Sequence, residues 1–308
     1  MRILEDNGVI AIPTETVYGL AGNAYSDIAV KKIFQIKGRP LYNPLIVHIK
    51  SIEYLKQVAK DIPDNAKKLA KEFWPGALTM VLSKLSHVSD IVTAGHDTVA
   101  VRIPSHPLAL ELLKRLDFPL AAPSANPFGS ISPTSAEHVN RYFGDNLEII
   151  LDGGLCERGI ESTIVGFDQD TVILYRHGSI SIESLERVVG KVILKTKDDV
   201  SPTAPGMLSR HYAPSIDTYL TDNVRGYIER FSGLKIGIIL FNQSLGDSRV
   251  THEEVISPCG NLEEAARNLY SALHRLDRLG LDIIITERLP DYGLGKTIND
   301  RLGRATKK

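Results

Sequence analysis

A chain of 308 residues, 43% hydrophobic and 24% charged, has room for about two folded domains and is neither a disordered nor a fibrous polymer. Its 36 Lys and Arg against 37 Asp and Glu leave a formal charge of −1, so no bulk cationic field draws it to nucleic acid or to an anionic membrane. Any anion chemistry must therefore be local.

In chain order, short β-branched runs predict strands at 9–12, 45–49, 78–82, 99–103, 120–122, 149–151, 162–165 and 171–175. Helices are expected between them. Asp27 is placed to cap 28–37, closed by Gly38 and Pro40, and Pro107 suits the first turn of 106–116. Thr134 with Glu137 reads as a capping box opening a helix through Tyr142, and Ser181 as the cap of a helix ending at Gly190. Residues 195–215 carry three prolines and a glycine with no period, and are taken as a linker. Beyond it come a strand at 235–241, a helix capped by Asn261 with Glu264 and running to Leu279, a strand at 281–286 and a final short helix. The fold class expected is α/β: a twisted mixed sheet with helices over 1–196, a linker at 197–215, and a smaller β-α-β, Rossmann-like unit at 216–308. Charges balance separately on both sides of the linker.

No apolar run approaches the ~20 residues that cross a bilayer. Glu5 and Asp6 stand where a signal peptide would have its apolar segment, and Cys156 and Cys259 are isolated thiols. A cytoplasmic location without membrane contact is expected. Gly293-Leu294-Gly295-Lys296-Thr297 ends like a phosphate-binding loop, but Pro290 occupies the position of the required earlier glycine, and G-x-S-x-G and H-E-x-x-H do not occur.

Six segments carry chemistry. Pro13-Thr14-Glu15-Thr16-Val17-Tyr18-Gly19-Leu20 runs from a strand into a turn with three hydroxyls, which also reads as a strand end bonded to backbone. Lys37-Gly38-Arg39-Pro40, followed by Asn43 and His48, places a point charge and a planar fork on one stiff turn, a combination suited to a polyphosphate; helix-dipole complementarity is the plainer account. Arg102 lies among apolar neighbours in its strand and demands a distant carboxylate or a ligand carboxylate. Pro119 to Pro127 ends a strand in small and hydroxyl residues, leaving room for a ligand or making a rigid turn. Ser162-Thr163-Ile164-Val165 and Leu174-Tyr175-Arg176 add hydroxyls and a second strand-end arginine.

Taken together and in this order, with Pro123-Ser124-Ala125-Asn126 and the linker's Pro205-Gly206-Met207 and Ser209-Arg210-His211-Tyr212, these segments resemble the YrdC-like domain family, in its long two-domain form, the threonylcarbamoyl-AMP synthases. The resemblance implies formation of L-threonylcarbamoyladenylate and pyrophosphate from ATP, L-threonine and bicarbonate or CO2, with Mg²⁺ accompanying ATP and no metal site of the chain's own. The product would feed the downstream transferase machinery that makes threonylcarbamoyladenosine in tRNA, with at most a weak tRNA contact. The resemblance assigns L-threonine to Thr16, His48, Arg102, Ala122 and Ser162, and the nucleotide to Arg39, Asn43, Thr98, Ser124, Ser132 and Arg176. Lys37 and Asn126 complete its K-x-R and S-x-N motifs and are likewise assigned to the nucleotide.

Chemically, two anions must meet before a carbamate oxygen attacks the α-phosphorus. Lys37, Arg39 and Arg176 would screen the triphosphate and the leaving pyrophosphate, without a covalent nucleophile. Arg102 would grip the threonine carboxylate, supplying a counter-ion its strand lacks, and whether His48 takes the amine proton is left open. Arg210, His211 and Tyr212 are expected to fold over the nucleotide as a lid, against the alternative of a plain surface tether. A non-catalytic RNA-binding module and a related carbamoyl-adenylate-forming enzyme are the competing functions.

Overall fold

The computed structural model describes residues 1–196, 204–207 and 212–306. Nine strands form the larger sheet: β1 (Ile10–Ile12), β2 (Gly19–Asn23), β3 (Ile46–His48), β4 (Leu78–Ser83), β5 (Thr98–Arg102), β6 (Leu120–Ala121), β7 (Thr163–Asp168), β8 (Thr171–Arg176) and β9 (Val192–Leu194). Their order is β1-β2-β6-β3-β5-β4-β7-β8-β9, with parallel and antiparallel pairs mixed. Among the described residues seven α-helices accompany it: α1 (Arg2–Glu5), α2 (Asp27–Lys37), α3 (Asp64–Phe73), α4 (Asp90–Thr93), α5 (Pro107–Arg115), α6 (Ala136–Phe143) and α7 (Ile182–Val189). The smaller sheet, with β10 (Asp217–Thr221), β11 (Ile236–Leu240), β12 (Val250–Val255) and β13 (Ile283–Glu287), is all parallel in the order β10-β13-β11-β12. It carries α8 (Val224–Arg230), α9 (Leu262–Leu276) and α10 (Leu294–Ala305). No helix among the described residues is long and apolar enough to cross a membrane.

Side chains alternate across a strand, so each strand of the large sheet serves two faces. Val47, Leu78, Met80, Val99, Val101 and Val165 point into the main core with Leu69, Ala70 and Leu185 from α3 and α7. Their neighbours Ile46, Val81, Ala100 and Ile164 point the other way, where Ala204 and Met207 from the linker cover them. Beyond that covered patch the same face carries His48 and Arg102, which are adjacent in the β3/β5 register. Polar groups on this face are therefore buried by chain that comes from the linker and beyond.

The α/β class, the mixed sheet and the second parallel sheet agree with the sequence. Several details differ. Residues 149–151 are not a strand but an isolated bridge of Ile150 to Ala11, because the chain turns away through Gly153 and Gly154. β2 has two glycines and no β-branched residue, β12 is rich in charge at a sheet edge, and neither advertised itself. Ser26, not Asp27, caps α2, and Ser135, not Thr134, caps α6, each hydroxyl accepting from the amide three residues on. His106 and Pro107 open α5, and Ser181 and Asn261 cap α7 and α9 as read.

The two sheets are joined through a shared apolar cluster. Val17, Ile131, Ile160 and Tyr212 pack with Leu269, Tyr270, Leu273 and Ile298 from α9 and α10. Polar contacts reinforce it: the rings of His138 and His274 stack 3.8 Å apart, and His274 Nε2 lies 3.1 Å from the Ser132 carbonyl. Burial lowers both imidazoles, to about 3 for His138 and about 4 for His274, so the stack is neutral near pH 7. Lys296 of the loop-like decoy is spent on an ion pair with Glu183 at 2.8 Å.

Candidate active site

On the face opposite the main core lies a cavity of about 50 Å³ that opens to solvent, lined from the large sheet by Thr16, Ile46, His48, Arg102, Ala122, Ser124, Ser162 and Arg176. Arg39 enters from the turn after α2, and Pro205, Gly206 and Tyr212 enter from the linker. Each arrives for a local reason. Gly38 adopts the left-handed conformation (φ 61°) that ends α2, and its amide and that of Arg39 cap carbonyls of the last turn, so the chain reverses between Lys37 and Arg39. Gly206 (φ 81°) is required twice: a Cβ there would meet Arg176 Cδ at 2.7 Å and the Tyr212 hydroxyl at 2.8 Å.

One end of the cavity centres on Arg102. Its Nε donates to the Gly76 carbonyl at 3.1 Å, its Nη1 to the Thr16 hydroxyl at 2.9 Å and its Nη2 to Glu15 at 2.6 Å. Of the two partners expected for Arg102, a distant carboxylate is present: Glu15, from the hydroxyl-rich turn, pairs with it, so a ligand is not needed as its counter-ion, and both side chains are at most 5% exposed. Burial pushes the Glu15 carboxyl up, but the charge and hydrogen bond of Arg102 and the amide of Ser105 bring it below the usual range. Two of the five guanidinium N–H groups are left for a ligand. His48 sits beside Arg102, and burial together with the Arg102 charge lowers it to about 3, so it is a neutral imidazole. Ser162 shares a 2.7 Å hydrogen bond with Thr79, and Ala122 contributes a small wall.

The other end is built of cations that pair with no acid among the described residues. The Lys37 ammonium donates to the carbonyls of Ser124 and Asn126, the first at 2.6 Å. Arg39 binds the Asn43 carbonyl (3.0 Å) and side chain (2.6 Å) and the Pro44 carbonyl (2.8 Å). Arg176 binds the carbonyl and hydroxyl of Ser162 and the Pro205 carbonyl. Among the described residues none of the three forms an ion pair, though Glu161 lies within electrostatic reach of Arg176. Burial and the neighbouring Arg176 lower Arg39 to about 9, and burial with Arg39 lowers Lys37 well below the usual lysine range. Positive charge is thus held where protein and solvent compensate it poorly, the condition an anionic ligand relieves.

Buried polar atoms without a hydrogen-bond partner mark the same region: Asn43 Nδ2, His48 Nδ1 and Asn126 Oδ1. Of the residues expected from sequence, Thr16, Arg39, His48, Arg102, Ala122, Ser124, Ser162, Arg176 and Tyr212 line the cavity. Lys37, Asn43, Asn126 and Ser132 stand behind it, holding its walls: Asn126 Nδ2 donates to the Pro127 and Ser130 carbonyls, and the Ser132 hydroxyl to Glu161 at 2.6 Å. Thr98 begins β5 on the same face as Ala100 and Arg102 but lies outside the lining. Arg210 and His211 lie outside the described residues.

A family model described as "Telomere recombination", covering Sua5, YciO and YrdC sequences, matches residues 2–178. A second, described as "Threonylcarbamoyl-AMP synthase, C-terminal domain", matches residues 180–306. The chain belongs to the threonylcarbamoyl-AMP synthase family. A threonylcarbamoyl-AMP synthase of Pyrococcus abyssi is 43% identical over 98% of this chain and 92% of its own, and one of Bacillus subtilis is 41% identical over 98% and 90%. The crystal structure of P. abyssi Sua5 complexed with L-threonine superposes with a TM-score of 0.92 at 41% identity, covering 99% of this chain and 92% of that one.

Sequence reasoning missed two acids and the groups that hold them. Glu15 lies inside the hydroxyl-rich segment and Glu161 immediately before Ser162, and the signal was available: a carboxylate between hydroxyls or apolar residues near a strand needs a cation. Tyr270 and Arg301, which hold Glu161 from α9 and α10, are more than 100 residues away and had no such signal.

Proposed function

We propose that this chain forms L-threonylcarbamoyladenylate and pyrophosphate from ATP, L-threonine and bicarbonate or CO2, for threonylcarbamoyladenosine in tRNA. The observation that carries this is one cavity with two unlike ends: a neutralised Arg102–Glu15 end with hydrogen-bonding groups, and a cationic end at Lys37, Arg39 and Arg176 without paired acids. The family's name supports the product, and the relative crystallised with L-threonine supports that substrate; ATP and bicarbonate are inferred from the chemistry of the product.

The Arg102 end suits a zwitterion. The two spare N–H groups of Arg102 meet the threonine carboxylate, while Thr16, His48 and Ser162 read the amine and hydroxyl, and a substrate without the hydroxyl would leave buried groups unpaired. Neutral His48 acts as a hydrogen-bonding group here, since a base lowered to about 3 takes up a proton poorly at neutral pH. The phosphates of ATP lie toward Arg39 and Arg176, with Lys37 fixing the Ser124–Asn126 turn beneath them. Mg²⁺ arrives as part of Mg·ATP and neutralises phosphate charge: no cluster of His, Cys, Asp or Glu among the described residues is arranged for a metal, and Glu15 and Glu161 are committed to arginines. Tyr212 and Pro205–Gly206 close the cavity from the linker and act as the lid that keeps water from the adenylate; Tyr212→Ala then raises adenylate hydrolysis, and unchanged hydrolysis contradicts the lid.

Exchange of labelled pyrophosphate into ATP tests the function. It is expected only when threonine and bicarbonate are both present. Exchange without threonine, or RNA binding with no exchange at all, overturns the assignment.

A further inference from the structure

The α10 arginine Arg301 is 1% exposed and lies at the joint between the two sheets rather than in the cavity. Its Nε donates to Glu161 Oε2 at 2.8 Å and its Nη2 to the His177 carbonyl at 2.5 Å, while its guanidinium carbon stands 4.7 Å from the centre of the Tyr212 ring. Glu161, which does line the cavity, also accepts from the Ser132 hydroxyl at 2.6 Å and from the Tyr270 hydroxyl at 3.0 Å. Its carboxylate therefore accepts from one group on the large-sheet side and two on the other. Glu161 immediately precedes Ser162, whose carbonyl and hydroxyl hold Arg176.

Two buried arginines thus compete for one buried carboxylate. Burial alone would raise Glu161, yet Arg301 first and Arg176 second hold it down at about 2, so it is an anion at neutral pH. Arg176 makes no ion pair with it; its three nitrogens bind carbonyls and a hydroxyl instead. Were Arg301 absent, the nearest cation able to satisfy Glu161 would be Arg176, and an arginine neutralised by an internal acid attracts phosphate weakly.

We propose that Arg301 is a positioning residue for ATP: by satisfying Glu161 and bracing Tyr212 from the C-terminal side, it keeps the Arg176 charge available to the nucleotide phosphates. The second sheet is thereby part of the nucleotide site without touching nucleotide. The proposal rests on the reading that Arg176 faces phosphate, and the test separates the two.

The test measures Mg·ATP and L-threonine affinity by calorimetry on the full chain. If the unsubstituted protein binds threonine but no ATP, the functional reading itself has failed. With ATP binding established, Arg301→Met is expected to weaken ATP about tenfold and threonine less than twofold, and adding Glu161→Gln, which removes the competing charge, should recover ATP affinity to within about threefold. A merely structural Arg301 would lose both ligands together and gain nothing from Glu161→Gln. Equal losses for the two ligands, unchanged ATP affinity in Arg301→Met, or no recovery in the double variant overturns the proposal. Should Arg301→Met not accumulate as folded protein, Arg301→Lys, which keeps a charge but cannot span Glu161 and the His177 carbonyl, takes its place, with about threefold ATP loss expected and the same reversal by Glu161→Gln.

Discussion

The two ends of the cavity bury arginines in opposite ways. At one, Arg102 faces Glu15 at 2.6 Å and is balanced before any ligand arrives. At the other, Arg39 and Arg176, with Lys37 behind them, are held by carbonyls, an amide and a hydroxyl, so their charge stays unpaired. The balanced end suits a substrate that brings both charges, such as an amino acid. The unbalanced end suits one that brings only negative charge, and such a site stores unfavourable energy that a polyphosphate releases on binding.

Breaking the balanced end should have the largest effect on stability. Arg102→Ala leaves Glu15 buried and unpaired, so unfolding in urea is expected to show a loss of about 3–5 kcal/mol. Arg102→Met with Glu15→Gln should recover most of that loss while threonine binding stays abolished. A single variant as stable as the parent would contradict the pairing.

The unbalanced end should behave in the reverse way. Arg39→Met loses hydrogen bonds to Asn43 and Pro44 but also a poorly compensated charge, so its stability cost is expected to be only about 1–2 kcal/mol. ATP affinity should fall at least about tenfold, with threonine affinity kept. A stability loss as large as that of Arg102→Ala, with ATP binding intact, would erase the contrast.

Acid sharpens the comparison by a smaller amount. His48, His138 and His274 have folded values of about 3, 3 and 4 against an ordinary 6.5, and Glu161 about 2 against 4.5. Because every folded value is depressed, these groups contribute stability above the ordinary values that is lost as pH falls through the folded ones. Unfolding free energy should therefore decline from about pH 6.5, more steeply below about 4.5, and His274→Asn should flatten the upper part of that slope. A profile flat from pH 7 to 4 would contradict the buried neutral imidazoles.

Much of the cavity was legible because its residues sit in short segments whose composition conflicts with their place. Arg102 inside an apolar strand, and the Lys37–Arg39 turn fixed by Gly38, both signalled a need for partners. Their grouping on one face follows from strand alternation and the β3/β5 register, which the sequence alone does not specify. Glu15 was hidden by a sequence separation of 87 residues from Arg102, and Arg301 by one of 140 from Glu161. β2 and β12 escaped for a local reason: neither has the β-branched alternation that marks a strand, and only neighbouring strands stabilise them.

The division of the cavity into a balanced and an unbalanced end is tested most directly by a crystal structure with L-threonine and a non-hydrolysable ATP analogue bound. The threonine carboxylate is expected on the free N–H groups of Arg102, and the analogue's phosphates on Arg39 and Arg176. Phosphates at Arg102, or neither ligand near Arg102 and Arg39, would contradict the account.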